Sequence, residues 1–267
     1  MPEMPEVEAY RRLAEGGLGR LIVSVGAPDA WFLKRGLDAT TAALALTDRS
    51  FTQARRLGKL LLLDTSPLAS DEPPGPTLGL RFGMTGCLVV DGRVGVDRLL
   101  YSSDRHEEAW NRFQVTFADG GVLAVRDPRR LGGIELDPEE GRLGPDVASV
   151  GPAALRRALG SSAAPLKGRL LDQGRLAGVG NLMADEALWR AGLDPSRPAG
   201  SLSAAEVRRL HRHLRATIAD LVKRGGSHTG DLLASRRPGG VCPRDGTPLA
   251  RSTVAGRTTW WCPKHQR

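Results

Sequence analysis

Leu170-Leu171-Asp172-Gln173-Gly174-Arg175-Leu176-Ala177-Gly178-Val179-Gly180-Asn181 is a glycine-punctuated turn that runs into a helix start. Glycines at a helix N-terminus let a phosphate approach the free backbone N–H groups, and Asn181 can cap the helix or touch the anion. Lys167, shortly before the turn, adds a movable positive charge. A glycine turn between two packed helices accounts for the same residues equally well. Around this turn the apolar period is helical. Residues 152–159, 165–173 and 181–191 read as short helices, and 203–224 as a long one. In the long helix Ser203 and Glu206 form a capping box, and Val207, Leu210, Leu214, Ile218 and Leu221 make one apolar stripe. Gly225-Gly226 ends it. The tail, 241–267, carries turn residues, β-branched residues and the pair Trp260-Trp261, the composition of a small β-hairpin.

Upstream the period is that of strands. Residues 20–25, 50–64 and 77–90 read as strands, and 112–127 as a hairpin turning at Asp119-Gly120-Gly121. A short helix is expected over 5–15, stopping at Gly16-Gly17, and an exposed loop over 66–76. From 128 to about 150 the chain loses periodicity, and Leu136-Asp137-Pro138-Glu139-Glu140-Gly141 reads as a linker. A strand-rich half thus precedes a helical half with a small appendage.

The chain has 267 residues, enough for two domains with cores of their own. Its net charge of +8 and pI of about 10.1 point to a polyanionic partner. Of 38 basic residues only Lys34, Lys59, Lys167, Lys223 and Lys264 are lysines. Three cysteines are too few and too odd in number for a disulfide framework. With no secretory leader and no apolar run long enough to span a bilayer, a cytoplasmic protein is expected.

The chain opens Met1-Pro2-Glu3. Removal of Met1 would leave a proline secondary amine at the N-terminus. An α-amino group titrates near pH ~8, against ~10.4 for a lysine side chain, so part of it is a free base at neutral pH. Adding to an aldehyde-level carbon, it becomes a cationic iminium with no proton to shed, an electron sink for Schiff-base chemistry. Glu3 beside it can move protons. The same residues also suit a helix start. Lys59, in Arg55-Arg56-Leu57-Gly58-Lys59 before four leucines, sits at the rim of a core strand. In Asp127-Pro128-Arg129-Arg130-Leu131 two arginines at a strand end can reach a duplex or lie solvated, and Met84 in Gly83-Met84-Thr85-Gly86 can be core filler. Cys242, Asp245, Cys262 and His265 have the two-knuckle spacing of a zinc ribbon, with Asp and His in two of the four positions. A hairpin held by Trp260 and Trp261 without metal is the alternative.

Taken in order, these segments resemble the formamidopyrimidine-DNA glycosylase/endonuclease VIII (Fpg/Nei) family over nearly the whole chain. The resemblance runs through MPEMPEVE at the start, RRLGKLLLLD around Lys59, GMTG at 83–86 and DPRRLG at 127–132. It continues through LGP at 143–145, LLDQGRLAGVGN at 170–181 and the knuckle spacing of the tail. It implies an α+β fold: an N-terminal β-sandwich domain with an N-terminal helix (1–135), a linker (136–150), a helix-two-turn-helix domain (151–240) and a zinc-ribbon-like β-hairpin finger (241–267). The implied partner is double-stranded DNA with a damaged base or abasic site, lying in a cleft with the damaged nucleotide flipped out. A monomer at the nucleoid, with structural Zn2+ and no organic cofactor, is expected.

By position, Pro2 would attack the sugar C1′ and displace the base, and β- and then δ-elimination would cut the strand. Glu3 would be the general acid/base, and Lys59 would protonate the leaving group or touch phosphate. Lys167, Asn181 and Arg257 would clamp phosphates, Met84, Arg129 and Leu131 would fill the hole left in the duplex, and Glu186 matches a functional acidic position. The sequence departs from the guanine-specific members in its mixed finger ligands and in having Leu131 where they carry a phenylalanine wedge. Only 227–241 separates the long helix from the finger, too short for the loop that covers flipped 8-oxoguanine. An oxidised or ring-opened base is therefore expected, and the short segment leaves the choice among such bases, 8-oxoguanine included, open. A non-catalytic binder of damaged DNA on the same fold is the rival reading; it has no use for Pro2, Glu3 and Lys59 together.

Overall fold

The computed structural model describes residues 2–68, 71–96, 99, 100, 105 and 107–267. Met1, whose removal the reading of Pro2 requires, lies outside the described residues. The chain forms two compact units. One comprises Pro2 and Glu6–Glu140, the other Glu3–Pro5 and Gly141–Arg267.

The first unit is built on two antiparallel sheets. One has the order β1-β7-β8-β5-β6, from β1 (Ile22–Gly26), β5 (Cys87–Val90), β6 (Arg93–Val94), β7 (Asn111–Phe117) and β8 (Val122–Arg126). The other has the order β2-β3-β4-β9, from β2 (Phe51–Leu57), β3 (Leu60–Thr65), β4 (Leu78–Arg81) and β9 (Gly133–Leu136). Alternation puts Phe113, Val115 and Phe117 of β7 on the inner face, against Leu61, Leu63, Leu78, Leu80 and Ile134 of the other sheet. Helix α1 (Met4–Ala14) adds Val7, Tyr10 and Ala14 to the same core, at helical spacing.

Four features differ from the sequence expectation. The strand expected over 77–90 is two strands in different sheets. Between them Gly83 adopts a left-handed φ of 55°, and a Cβ there would overlap the backbone of Leu131 and Gly132, so the chain turns sharply and changes layer. The run 50–64 is likewise a hairpin, with Leu57 opposite Leu60, which puts Lys59 in the turn. The stretch after 128, read as aperiodic, supplies β9, whose four residues are too few for alternation to register. Helix α2 (Ala39–Leu46) was not expected in the strand-rich half; its N-cap is Asp38, which accepts from Thr41 N–H at 2.7 Å.

The second unit packs α3 (Pro152–Leu159), α4 (Leu166–Leu171), α5 (Asn181–Ala191) and α6 (Ala204–Lys223) around one apolar core, which also takes in Met4. The five expected stripe residues of α6 are all buried. Both halves of the Ser203–Glu206 capping box are formed. Ser203→Ala is expected to cost about 1 kcal/mol, read as a fall in Tm. Arg197, then the Ser203 N–H, hold the Glu206 carboxyl down at about 2, below its ordinary 4.5. Its folded value lies below its unfolded one, so this stabilisation is complete above about pH 4.5 and is lost as pH falls through about 2. Glu206→Gln should accordingly lower Tm at neutral pH and leave it unchanged near pH ~2. The tail forms the hairpin β10 (Ala250–Val254) and β11 (Arg257–Trp261). Among the described residues no helix is long and apolar enough to cross a membrane.

Candidate functional site

Pro2 is buried, and the carboxylate of Glu3 is fixed within the second unit. It accepts from the backbone N–H of Leu182 at 2.9 Å and of Met183 at 3.0 Å, in the first turn of α5. Those donors have no partner within the helix, and the positive end of the helix dipole favours an anion there. The N-cap, Gly180, makes no side-chain cap, and a Cβ on it would overlap the Glu3 carboxylate. The sequence offered these N–H groups to a phosphate; two of them are already taken by Glu3.

Asn181 instead turns to the hairpin finger, donating to Thr258 C=O at 3.3 Å. The Lys167 ammonium reaches the same carbonyl at 3.2 Å and Thr259 Oγ1 at 2.7 Å. Arg257, exposed, is the residue before Thr258, so Lys167 and Asn181 hold the finger backbone next to it. Lys167 is not the movable charge expected. It is fully buried and paired with Asp185 at 2.7 Å, and Arg236 closes on Asp185 from the other side at 2.7 Å. Burial lowers the Lys167 pKa, against the opposing pull of Asp185. Glu186, on α5, is buried as well. Only 3% exposed, it accepts from the N–H of Asp231 at 3.2 Å and Leu232 at 2.9 Å, and pairs with Arg190 at 2.7 Å. It thereby pins the segment 227–241 to α5.

In the first unit Met84, Arg129 and Leu131 lie on two turns tied to one another by Asp127. This fully buried carboxylate accepts from Thr85 Oγ1 at 2.6 Å, Arg129 N–H at 3.1 Å, and the N–H groups of Leu131 and Gly132 at 2.8 Å each. With its polar demand met by those turns, Arg129 and Leu131 stay exposed, Leu131 by 49%. Arg130 does not join them. Its guanidinium makes two 2.6 Å bonds to Asp29, whose carboxyl it holds below the usual range. Lys59 is half-buried in its turn.

The ligand atoms of Cys242, Asp245, Cys262 and His265 lie within 4.8 Å of one another and can hold a metal ion. His265 Nδ1 is 3.1 Å from Asp245 Oδ2 and 3.7 Å from Cys242 Sγ, and Cys262 Sγ is 3.5 Å from Asp245 Oδ2. Bonds of roughly 2.0–2.3 Å at tetrahedral angles put ligand atoms about 3.3–3.8 Å apart. The 3.5 and 3.7 Å separations match that spacing, and the widest, within 4.8 Å, would close by up to about 1 Å around an ion. Asp185 and Trp189 were missed as site residues. Both sit on α5, and no motif marks them, because their partners are distant in sequence.

The formamidopyrimidine-DNA glycosylase N-terminal domain family matches residues 1–134, and its H2TH domain family matches 143–232. The formamidopyrimidine-DNA glycosylase of Alkalilimnicola ehrlichii is 33% identical over 100% of both chains. That of Thermus thermophilus is 36% identical over 100% of this chain and 98% of its own. The structure of Lactococcus lactis Fpg in complex with DNA containing Fapy-dG has a TM-score of 0.81 at 26% identity, covering 99% of this chain and 100% of that one. Motif order, fold and whole-length similarity agree: the chain belongs to the formamidopyrimidine-DNA glycosylase family.

Proposed function

We propose that this chain is a bifunctional DNA glycosylase and AP lyase of base excision repair, acting as a monomer on damaged duplex DNA in the cytoplasm, at the nucleoid. The observation that carries the proposal is Glu3. A carboxylate directly after an N-terminal proline is held by two backbone N–H groups of α5, in a chain related over its whole length to DNA glycosylases.

The Pro2 amine adds to the sugar C1′ as the base departs with a proton, and opening of the sugar gives an iminium. The iminium acidifies the C2′ hydrogen; its removal expels the 3′ phosphate, and a second elimination releases the 5′ phosphate. Glu3 moves the protons, and Lys59 protonates the leaving base or contacts phosphate. Met84, Arg129 and Leu131 occupy the gap left by the flipped nucleotide, a use for the exposed Leu131 that solvent alone does not explain. Asn181 and Arg257 contact phosphates. Lys167 and Glu186, both buried, serve from beneath: one holds the backbone of Thr258, the other the segment 227–241. Gap filling thus belongs to 1–135 and phosphate contact to 151–240 and the finger 241–267. The stretch 136–150, expected as a linker, is divided at Glu140, with Val147 and Val150 buried in the core of the second unit.

The substrate class is an oxidised or ring-opened base, in keeping with a relative crystallised on Fapy-dG DNA. The segment 227–241 is short and is tied to Glu186 at Asp231 and Leu232, which counts against a long cover over an 8-oxoguanine. Zinc is held by Cys242, Asp245, Cys262 and His265, and its part is to stiffen the finger.

Borohydride reduction of the protein with duplexes carrying an abasic site or one oxidised base tests the activity. A stable covalent adduct is expected. Tight binding without an adduct on any substrate would make the chain a binder of damaged DNA. Arg257→Ala should weaken binding to every duplex alike and flatten the dependence of log K on log salt by about 0.9. Anisotropy titrations at several salt concentrations measure this, and an unchanged slope counts against the phosphate contact.

A further inference from the structure

Trp189, on the last turn of α5, touches two of the four candidate ligands with two different groups. Its indole Nε1–H donates to Cys242 Sγ at 3.3 Å. Its backbone C=O lies 3.2 Å from His265 Nε2. An indole nitrogen only donates and a carbonyl only accepts, so each contact has one possible polarity. The sulfur of Cys242 must be the acceptor, the role of a thiolate. Nε2 of His265 must carry a hydrogen, so Nδ1, 3.1 Å from Asp245 Oδ2 and 3.7 Å from Cys242 Sγ inside the cluster, is the nitrogen at which a metal ion would replace a proton. The side chain is fixed for this work. Trp189 is 6% exposed, meets the His265 ring edge-on at 6.2 Å, and lies under the Arg244 guanidinium at 5.1 Å.

We propose that Trp189 is the positioning residue of the metal site, fixing through its carbonyl which nitrogen of His265 binds the ion and through its indole the placement of the Cys242 sulfur. The inference rests on the reading of the cluster as a metal site. Four thiolates would present no tautomer to fix; an imidazole does, and a carboxylate must also be turned the right way. Asp245 gets its orientation from its own knuckle, accepting from Thr247 N–H at 3.0 Å. His265 and Cys242 get theirs from α5. The loaded finger is therefore fastened to the helix that begins at Asn181.

The test uses the full-length protein. Wild type is loaded with Zn2+ and, separately, with Co2+, and compared with Trp189→Phe, which keeps an aromatic ring and the carbonyl but has no N–H. A chelator competition should show Zn2+ held on the order of tenfold more weakly by the variant, and the thiolate-to-cobalt charge-transfer band should shift. Leu232→Ala loosens the same small core of Trp189, Leu232, Cys242 and Cys262 without removing a ligand contact, and should leave the band in place. Wild type loaded with cadmium-113 gives a check that needs no variant: the Trp189 indole proton should show scalar coupling to the metal through Cys242. An unmoved cobalt band with affinity within about twofold of wild type, or an indole proton without coupling, overturns the role of Trp189 and leaves the metal site standing. A wild-type chain that takes up neither ion overturns the metal reading itself, and this inference with it.

Discussion

A form of the protein in which Met1 stays joined to Pro2 is expected to lose abasic-site cleavage by on the order of a thousandfold or more, and to give no borohydride adduct. Joined to Met1, the nitrogen of Pro2 is an amide, with its lone pair delocalised into the carbonyl, and cannot attack C1′. Nothing else in the chain need change, so binding to a duplex with a stable abasic analogue should stay close to that of the processed protein. Pro2→Gly, which exchanges the secondary amine for a primary one whose imine can shed its proton and with it the positive charge, should give less cleavage and less adduct without abolishing either. Gel assays of cleavage, trapping and binding on one preparation separate the outcomes. Full cleavage by the unprocessed form would remove Pro2 from the mechanism and shift attention to a lysine.

Replacing Glu3 should produce two losses that different substitutions pull apart. Glu3→Ala leaves the N–H groups of Leu182 and Met183 buried without their acceptor, each worth about 1–3 kcal/mol, so a fall of several kcal/mol in stability is expected. Glu3→Gln keeps one oxygen as acceptor but turns an NH2 towards the second N–H, for a fall of about 1–2 kcal/mol. Both variants lose the proton-transfer group, and single-turnover excision should drop by roughly a hundredfold or more in each. Denaturant unfolding and excision kinetics together decide. If Glu3→Gln excises at the wild-type rate, Glu3 is only the cap of α5.

Much of the fold was legible because it is written locally. The capping box at Ser203 and Glu206, the stripe from Val207 to Leu221 and the turn at Asp119-Gly120-Gly121 are satisfied by residues close in sequence, and all of them form. Elements without local contrast were lost: β9 has only four residues, and α2, Ala39-Thr40-Thr41-Ala42-Ala43-Leu44-Ala45-Leu46, has no polar face against which an apolar stripe could stand out. The layer change at Gly83 was missed because 77–90 has strand composition throughout, and only the approach of Leu131 and Gly132 forces the bend. At the site, residue types and spacings were readable for Pro2, Glu3 and the four finger ligands. Environments were not. Lys167 reads as a mobile cation and is a buried partner of Asp185; Arg130 looks equivalent to Arg129 and is spent on Asp29.

The sequence by itself determined the family, the order of elements, the adjacency of Pro2 and Glu3, and the knuckle spacing, since each depends on neighbours along the chain. Only the tertiary structure decided what each charged group faces. Glu3 meets amides 179 and 180 positions away, Asp127 ties two turns together, and Trp189 serves ligands on both knuckles. The physical reason is that a buried polar group must find its partner in whatever backbone or side chain the fold brings beside it. That pairing is a property of packing, and no local pattern of residues encodes it.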